Sequence, residues 1–191
     1  MSSDRKTQIL QAANQSFATF GYKATTIDHV AKAANVGKGT IYNFFKNKEQ
    51  LFQEIISNLL LEMKNQAESV IEDNKSLKEN VHLALYELLQ YRRRHQLMVQ
   101  MVQEAKEMGT PAVQEALLNV EGLITGYLRE KIENAVAAGD IRPCDPEMTA
   151  YMMLKLYTAF IIDWEERHEP LEERTILHLF DEYVFKGLSP S

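Results

Sequence analysis

Residues 25–48 read TTIDHVAKAANVGKGTIYNFFKNK, from Thr25 to Lys48, and their spacing decides the fold. A threonine pair opens a short helix with Ile27, Val30, Ala31 and Ala34 on its inner side. Asn35-Val36-Gly37 makes a turn, and a second short helix runs from Lys38 to Phe44. Advancing about 100° per residue from Lys38 brings Ile41 and Phe45 onto one face. Opposite them lie Gly39, Thr40 and Asn43, flanked by Tyr42 and Phe44. A face with a glycine, a hydroxyl and an amide allows close approach to a duplex and hydrogen bonding to base edges and phosphates. Lys48 follows in the first turn of the next helix, where an ammonium and a helix N-terminus can grip one phosphate. Thr26 can do the same from the start of the first short helix.

Working outward, the preceding helix spans about Asp4 to Phe20, with Ile9, Leu10, Ala13, Phe17 and Phe20 along one face and Gly21 as its stop. Asn47 caps a fourth helix with Gln50 three residues on, a capping box. That helix reaches roughly Asp73 and links this head to the rest of the chain. Ser76 with Glu79, Thr110-Pro111 and Asp145-Pro146 open further helices. Gly109 and Gly139 close two of them, the helix from Pro146 runs to about His168, and Pro170 begins the last. No strand-like alternation interrupts the pattern. The expected fold is all-α: a three-helix N-terminal helix-turn-helix domain, residues 1–48, and a six-helix C-terminal domain, residues 49–191.

The 191-residue chain has net charge −6, which at first argues against nucleic acid. Its distribution points the other way. Residues 1–48 carry seven Lys/Arg against two Asp, a net +5, and the remainder fourteen against twenty-five acidic residues, a net −11. A basic head on an acidic body is an electrostatic footprint for phosphate at one end. One cysteine cannot form an intrachain disulfide, and neither a secretory signal nor a span is evident, so a cytoplasmic protein with no membrane contact is expected. Residues 151–164, the most apolar long stretch, are few and interrupted by Lys155 and Asp163. Cys144 has no base partner in sequence, and His29, His82, His95, His168 and His178 lack metal-ligand spacing. Neither catalysis nor a metal or other cofactor is expected.

The run TTIDHVAKAANVGKGTIYNFFKNKEQLF, with a first helix ending in Phe20-Gly21, resembles the N-terminal domain of the TetR family of transcriptional repressors over roughly residues 5–55. One departure is Gly37, where the family often has a serine cap. The resemblance implies DNA contacts at Thr26, Lys38, Gly39, Thr40, Tyr42, Asn43, Phe44 and Lys48. Tyr42 and Lys48 would touch the backbone, while Thr40, Asn43 and Phe44 read bases. It further implies a homodimer on a palindromic double-stranded operator, released by a small ligand.

The C-terminal residues bear on that expectation independently. The helix from Pro146 and the last helix carry more apolar residues than one face holds, so a second copy is expected to cover the surplus. Two heads about 34–36 Å apart would then enter successive major grooves. A sensor pocket for an apolar or amphipathic molecule is expected around Met63, Leu88, Met101, Ile124 and Met152, with Glu104, Glu121 and Lys155 as polar groups. Arg92-Arg93-Arg94-His95 reads better as a cationic helix end than as an anion grip, because neighbouring residues point about 100° apart. The alternatives are a ligand-independent regulator or an activator, and, from another class, a helical lipid-binding or interaction protein.

Overall fold

The computed structural model describes residues 2–92 and 96–186; the 93–95 part of the basic run and the end of the last helix near Gly187 lie outside the described residues. The chain is all-α, with nine helices and no strand among the described residues. They are α1 Ser2–Ala24, α2 Ile27–Ala33, α3 Lys38–Tyr42, α4 Lys48–Glu68, α5 Leu77–Arg92, α6 Gln96–Met108, α7 Pro111–Ala138, α8 Pro146–Thr158 and α9 Glu173–Phe180. Two compact units result, residues 1–62 with 92–118, and residues 63–91 with 119–191. The divisions fall inside α4 and α7 and at the last residue of α5.

The first unit is built on the periodic apolar positions of α1 to α4. Ile9, Ala13, Phe17, Val30, Ile41, Phe45, Leu51 and Phe52 are buried together with Leu97 and Met101 of α6. α1 packs on α2 and α6, and α2 on α3. Phe20, expected inside, is 61% exposed. Directly after it Gly21, with φ of 78° and ψ of 169°, breaks α1 and swings the chain. Tyr22 takes the inner place instead, its ring 4.7 Å from Phe52 and 5.8 Å from Phe17, while Phe17 meets Phe52 edge-on at 5.1 Å.

The second unit packs α5, α8, α9 and the later part of α7 around Leu89, Ile132, Ala150, Ile176 and Phe180. Its helix starts follow the caps read in sequence. Glu79 accepts from the Ser76 backbone N–H at 3.0 Å and from its hydroxyl at 2.7 Å, and Asp145 accepts from Met148 N–H at 2.9 Å ahead of Pro146. The helix ends differ from expectation. α4 stops at Glu68 rather than near Asp73, because Asn80 ties the following loop through Glu72 and Lys75 backbone groups. α8 gives way after Thr158 to a π-helical turn, Ala159–Asp163, and α9 begins at Glu173, three residues beyond Pro170, ending in a second such turn, Asp181–Phe185.

Phe52 is fully buried against Tyr22 and Phe17, so Phe52→Ala is expected to lower stability by about 3–5 kcal/mol. Denaturant unfolding of wild type and variant at equal protein concentration measures it.

Candidate nucleic-acid interface

The helix-turn-helix is fixed by three local devices. Thr26, not Thr25, is the cap of α2: its backbone is extended and its side chain accepts from His29 N–H at 3.2 Å. Thr25 is fully buried, donating its hydroxyl to Gly21 O at 2.7 Å and Ser16 O at 3.1 Å. At the far end of α2, Asn35 adopts a left-handed φ of 49°. Val36 N–H then reaches Ala31 O at 3.0 Å and Asn35 N–H reaches Lys32 O at 3.1 Å, the double closure that ends a helix sharply. The left-handed residue of the turn is therefore the asparagine. Gly37 is extended, φ −71° and ψ 146°, and caps α3 with no side-chain acceptor.

α3 has only five residues, but its hydrogen bonds run on, with Asn43 N–H to Gly39 O at 3.1 Å and Phe45 N–H to Ile41 O at 2.9 Å. Ile41 and Phe45 are buried as expected. Lys38, Gly39, Tyr42 and Asn43 are exposed, with Tyr42 48% accessible, and Thr40 and Phe44 are half-buried. A Cβ at Gly39 would meet nothing within 4 Å, so this glycine keeps the surface low rather than relieving an internal clash. Lys38 pairs at 3.0 Å with Asp28 of α2, whose hydrogen bond raises the lysine pKa. Asn47 caps α4 by accepting from Gln50 N–H at 2.8 Å. Gln50 accepts from Lys46 N–H at 2.7 Å, one residue beyond the Asn47 N–H that the expected box would use.

Lys48 is placed differently from the other candidate contacts. Its ammonium donates to Tyr22 O at 2.8 Å and Thr25 O at 3.0 Å, 4.1 Å from the centre of the Tyr22 ring. Burial lowers its pKa, and the Glu104 carboxylate opposes that shift. Glu104 of α6 is 3% exposed and accepts from Tyr22 N–H at 2.5 Å and Lys23 N–H at 3.0 Å. Burial, with Glu49 and Glu104 adding to it, pushes the Tyr22 phenol up. The helical pattern in the sequence stops at Gly21 and does not single out Tyr22. The available signal was the glycine followed by an aromatic residue just before the threonine pair.

The pocket candidates are divided. Met101 and Glu104 belong to the first unit, the others to the second. Met101 is buried, Met63, Leu88 and Ile124 are half-buried, and Met152 is 60% exposed on α8. Glu121 and Lys155 are brought together as an ion pair, with the ammonium 5.0 Å from the Tyr151 ring centre. Among the described residues no cluster of three or more His, Cys, Asp or Glu could hold a metal, and no helix is long and apolar enough to cross a membrane.

Residues 9–55 match the model of a family described as bacterial regulatory proteins, tetR family. The chain is 56% identical over 189 residues to the uncharacterized HTH-type transcriptional regulator YhgD of Bacillus subtilis, covering 99% of each. It is 24% identical over 190 residues to the HTH-type transcriptional repressor KstR2 of Mycolicibacterium smegmatis, covering 98% of this chain and 92% of that one. The crystal structure of the Bacillus subtilis regulator FadR in complex with stearoyl-CoA has a similar fold, TM-score 0.77, over 91% of this chain and 96% of that one. At 19% identity that likeness is one of fold alone.

The caps give a direct stability test. Gly37 has a φ any residue adopts, and an added Cβ would come no nearer than 3.9 Å, to the Thr40 hydroxyl. Gly37→Ser is expected to raise stability by a few tenths of a kcal/mol and Thr26→Ala to lower it by about 1 kcal/mol. Both are read as shifts in urea midpoint at constant slope.

Proposed function

The chain belongs to the TetR family of bacterial regulatory proteins, and on that premise we propose a homodimeric repressor that binds a palindromic operator and is released by a small molecule. It is a transcriptional regulator and not an enzyme. The observation that carries the operator reading is the outward face of α3. Lys38, Gly39, Tyr42 and Asn43 stand in solvent on a helix whose opposite side, Ile41 and Phe45, is fully anchored. In this reading Thr26, Lys38 and Tyr42 take phosphates. Thr40, Asn43 and Phe44 meet base edges across the low surface at Gly39. Lys48, expected at the DNA backbone, instead donates inward to Tyr22 and Thr25 carbonyls. Residues 1–48 would form the reading head, and 49–191 the sensing and dimerising part.

Dimerisation is supported by large apolar side chains left in solvent in the second unit. Met148, Tyr151, Met152 and Trp164 follow one another along α8 and its π-helical turn, and Tyr183 is 70% exposed after α9. A second copy would remove that surface from water. Ligand release is supported by the FadR relative in fold, which holds stearoyl-CoA, and by the half-buried Met63, Leu88 and Ile124. An apolar or amphipathic ligand acting in the cytoplasm fits both. Ligand and DNA then oppose each other through a coupling of about 1–3 kcal/mol.

Selection from random duplexes is the test. The recovered site is expected to be palindromic, with half-site centres about one helical turn or a multiple apart. Asn43→Ala is expected to cost about 1–3 kcal/mol and to flatten preference at particular bases. Lys38→Ala is expected to weaken all sequences alike and to reduce the slope of log affinity against log salt by about 1. Recovery of only weak, sequence-independent binding would overturn the reading in favour of a helical interaction protein.

A further inference from the structure

The Tyr22 peptide is gripped from both sides by groups of opposite charge. Its N–H, with that of Lys23, points at the buried Glu104 carboxylate, and its C=O, with that of Thr25, accepts from the Lys48 ammonium. Successive backbone N–H groups of this kind form a natural cradle for an anion. Gly21 makes the approach possible: an added Cβ would stand 2.5 Å from a Glu104 oxygen, at a φ of 78° that other residues avoid. The gripped residues end one position before Thr26, the cap of α2 and a proposed phosphate contact.

We propose that Glu104 and Lys48 are positioning residues for DNA reading, holding the 21–25 connection so that Thr26 and the start of α2 stand where the duplex needs them. This rests on the operator-binding function proposed above, and it gives Lys48 a role other than a phosphate grip. An ammonium has three donors, and two of them already serve carbonyls inside the protein. Glu104 touches no position proposed to meet DNA. Its action runs through the backbone of Tyr22 and Lys23 and through the charge it shares with Lys48.

The sign of one substitution separates positioning from simple electrostatics. A carboxylate close to a phosphate-binding face repels DNA, so Glu104→Gln should tighten binding slightly if the residue has no positioning role. Positioning predicts the reverse. Losing the charged acceptor leaves backbone donors poorly paired, and about tenfold weaker operator binding is expected.

The experiment uses the full-length chain and the duplex selected by the wild-type protein. Affinity is measured against salt for wild type, Glu104→Gln, Lys48→Met and the double variant, with the folded fraction fixed by circular dichroism. The expected result is about tenfold weaker binding for each single variant, an unchanged salt slope, and a double variant no weaker than the worse single one. Two results would overturn the proposal: unchanged affinity of folded Glu104→Gln, or a Lys48→Met slope reduced by about 1 as for a lost phosphate contact. Additive losses would also overturn it, since the two groups would then not act on one peptide. Should Glu104→Gln fold poorly, Gly21→Ala, which displaces the carboxylate from the other side, must show the same loss at constant slope. Asn43→Ala in the same assay keeps the operator reading separate: its expected loss of base preference does not depend on Glu104. Failure of the wild type to select any duplex would remove both.

Discussion

A buried carboxylate in contact with backbone N–H groups is the constraint on which the head depends. A buried carboxyl group is tolerated where hydrogen bonds and an opposite charge replace water. Glu104 meets both conditions, with two N–H donors from the α1–α2 connection and the Lys48 ammonium acting on it through its charge. Each partner is useful to the other. Lys48 is itself half-buried, and without the acid nearby its desolvation would act alone. The arrangement dictates residue 21, since only glycine combines the positive φ with space for the carboxylate.

From that corner the rest of the head follows by short-range devices. Thr25 closes the corner from inside and Thr26 caps α2 from outside, so two adjacent threonines do different work. Asn35 ends α2 in a left-handed turn, and Gly37 starts α3 with an extended backbone. A helix of five residues has little stability of its own. α3 holds its place because Ile41 and Phe45 are sunk in the core and because its hydrogen bonds run two residues past Asn43. The polar face is therefore presented by burial of the opposite side.

What was legible in the sequence divides along the same line. Periodicity and caps are local, and they suffice to place Ile41, Phe45 and the exposed face of α3, together with the starts of α5 and α8. Periodicity puts Phe20 inside, where it is not, and it does not reach Tyr22, which enters the core only beyond the turn at Gly21. The π-helical turns after α8 and α9 carry no breaker residue to announce them. Glu104 was read as a polar candidate in a pocket because its partners lie about eighty residues away along the chain, where no local pattern points.

Net charge and available charge differ in the head. The +5 of residues 1–48 gives the head a field that attracts a duplex, and attraction of this kind depends on summed charge. Contact depends on which ammonium groups are available to a phosphate. Lys48 is turned inward onto carbonyls, and Lys38 is paired with Asp28. The second pair is exposed, so water and salt hold it weakly, and a phosphate can replace the carboxylate with little loss. Lys48 has no comparable exchange open to it, because leaving Tyr22 and Thr25 would strand two carbonyls at the corner the head is built on. On the proposed reading, Lys38 would meet a phosphate, while Lys48 would shape the surface that does so. The short α3 is held from behind by Ile41 and Phe45 and at the preceding corner by Lys48, which leaves its outer face fixed in place.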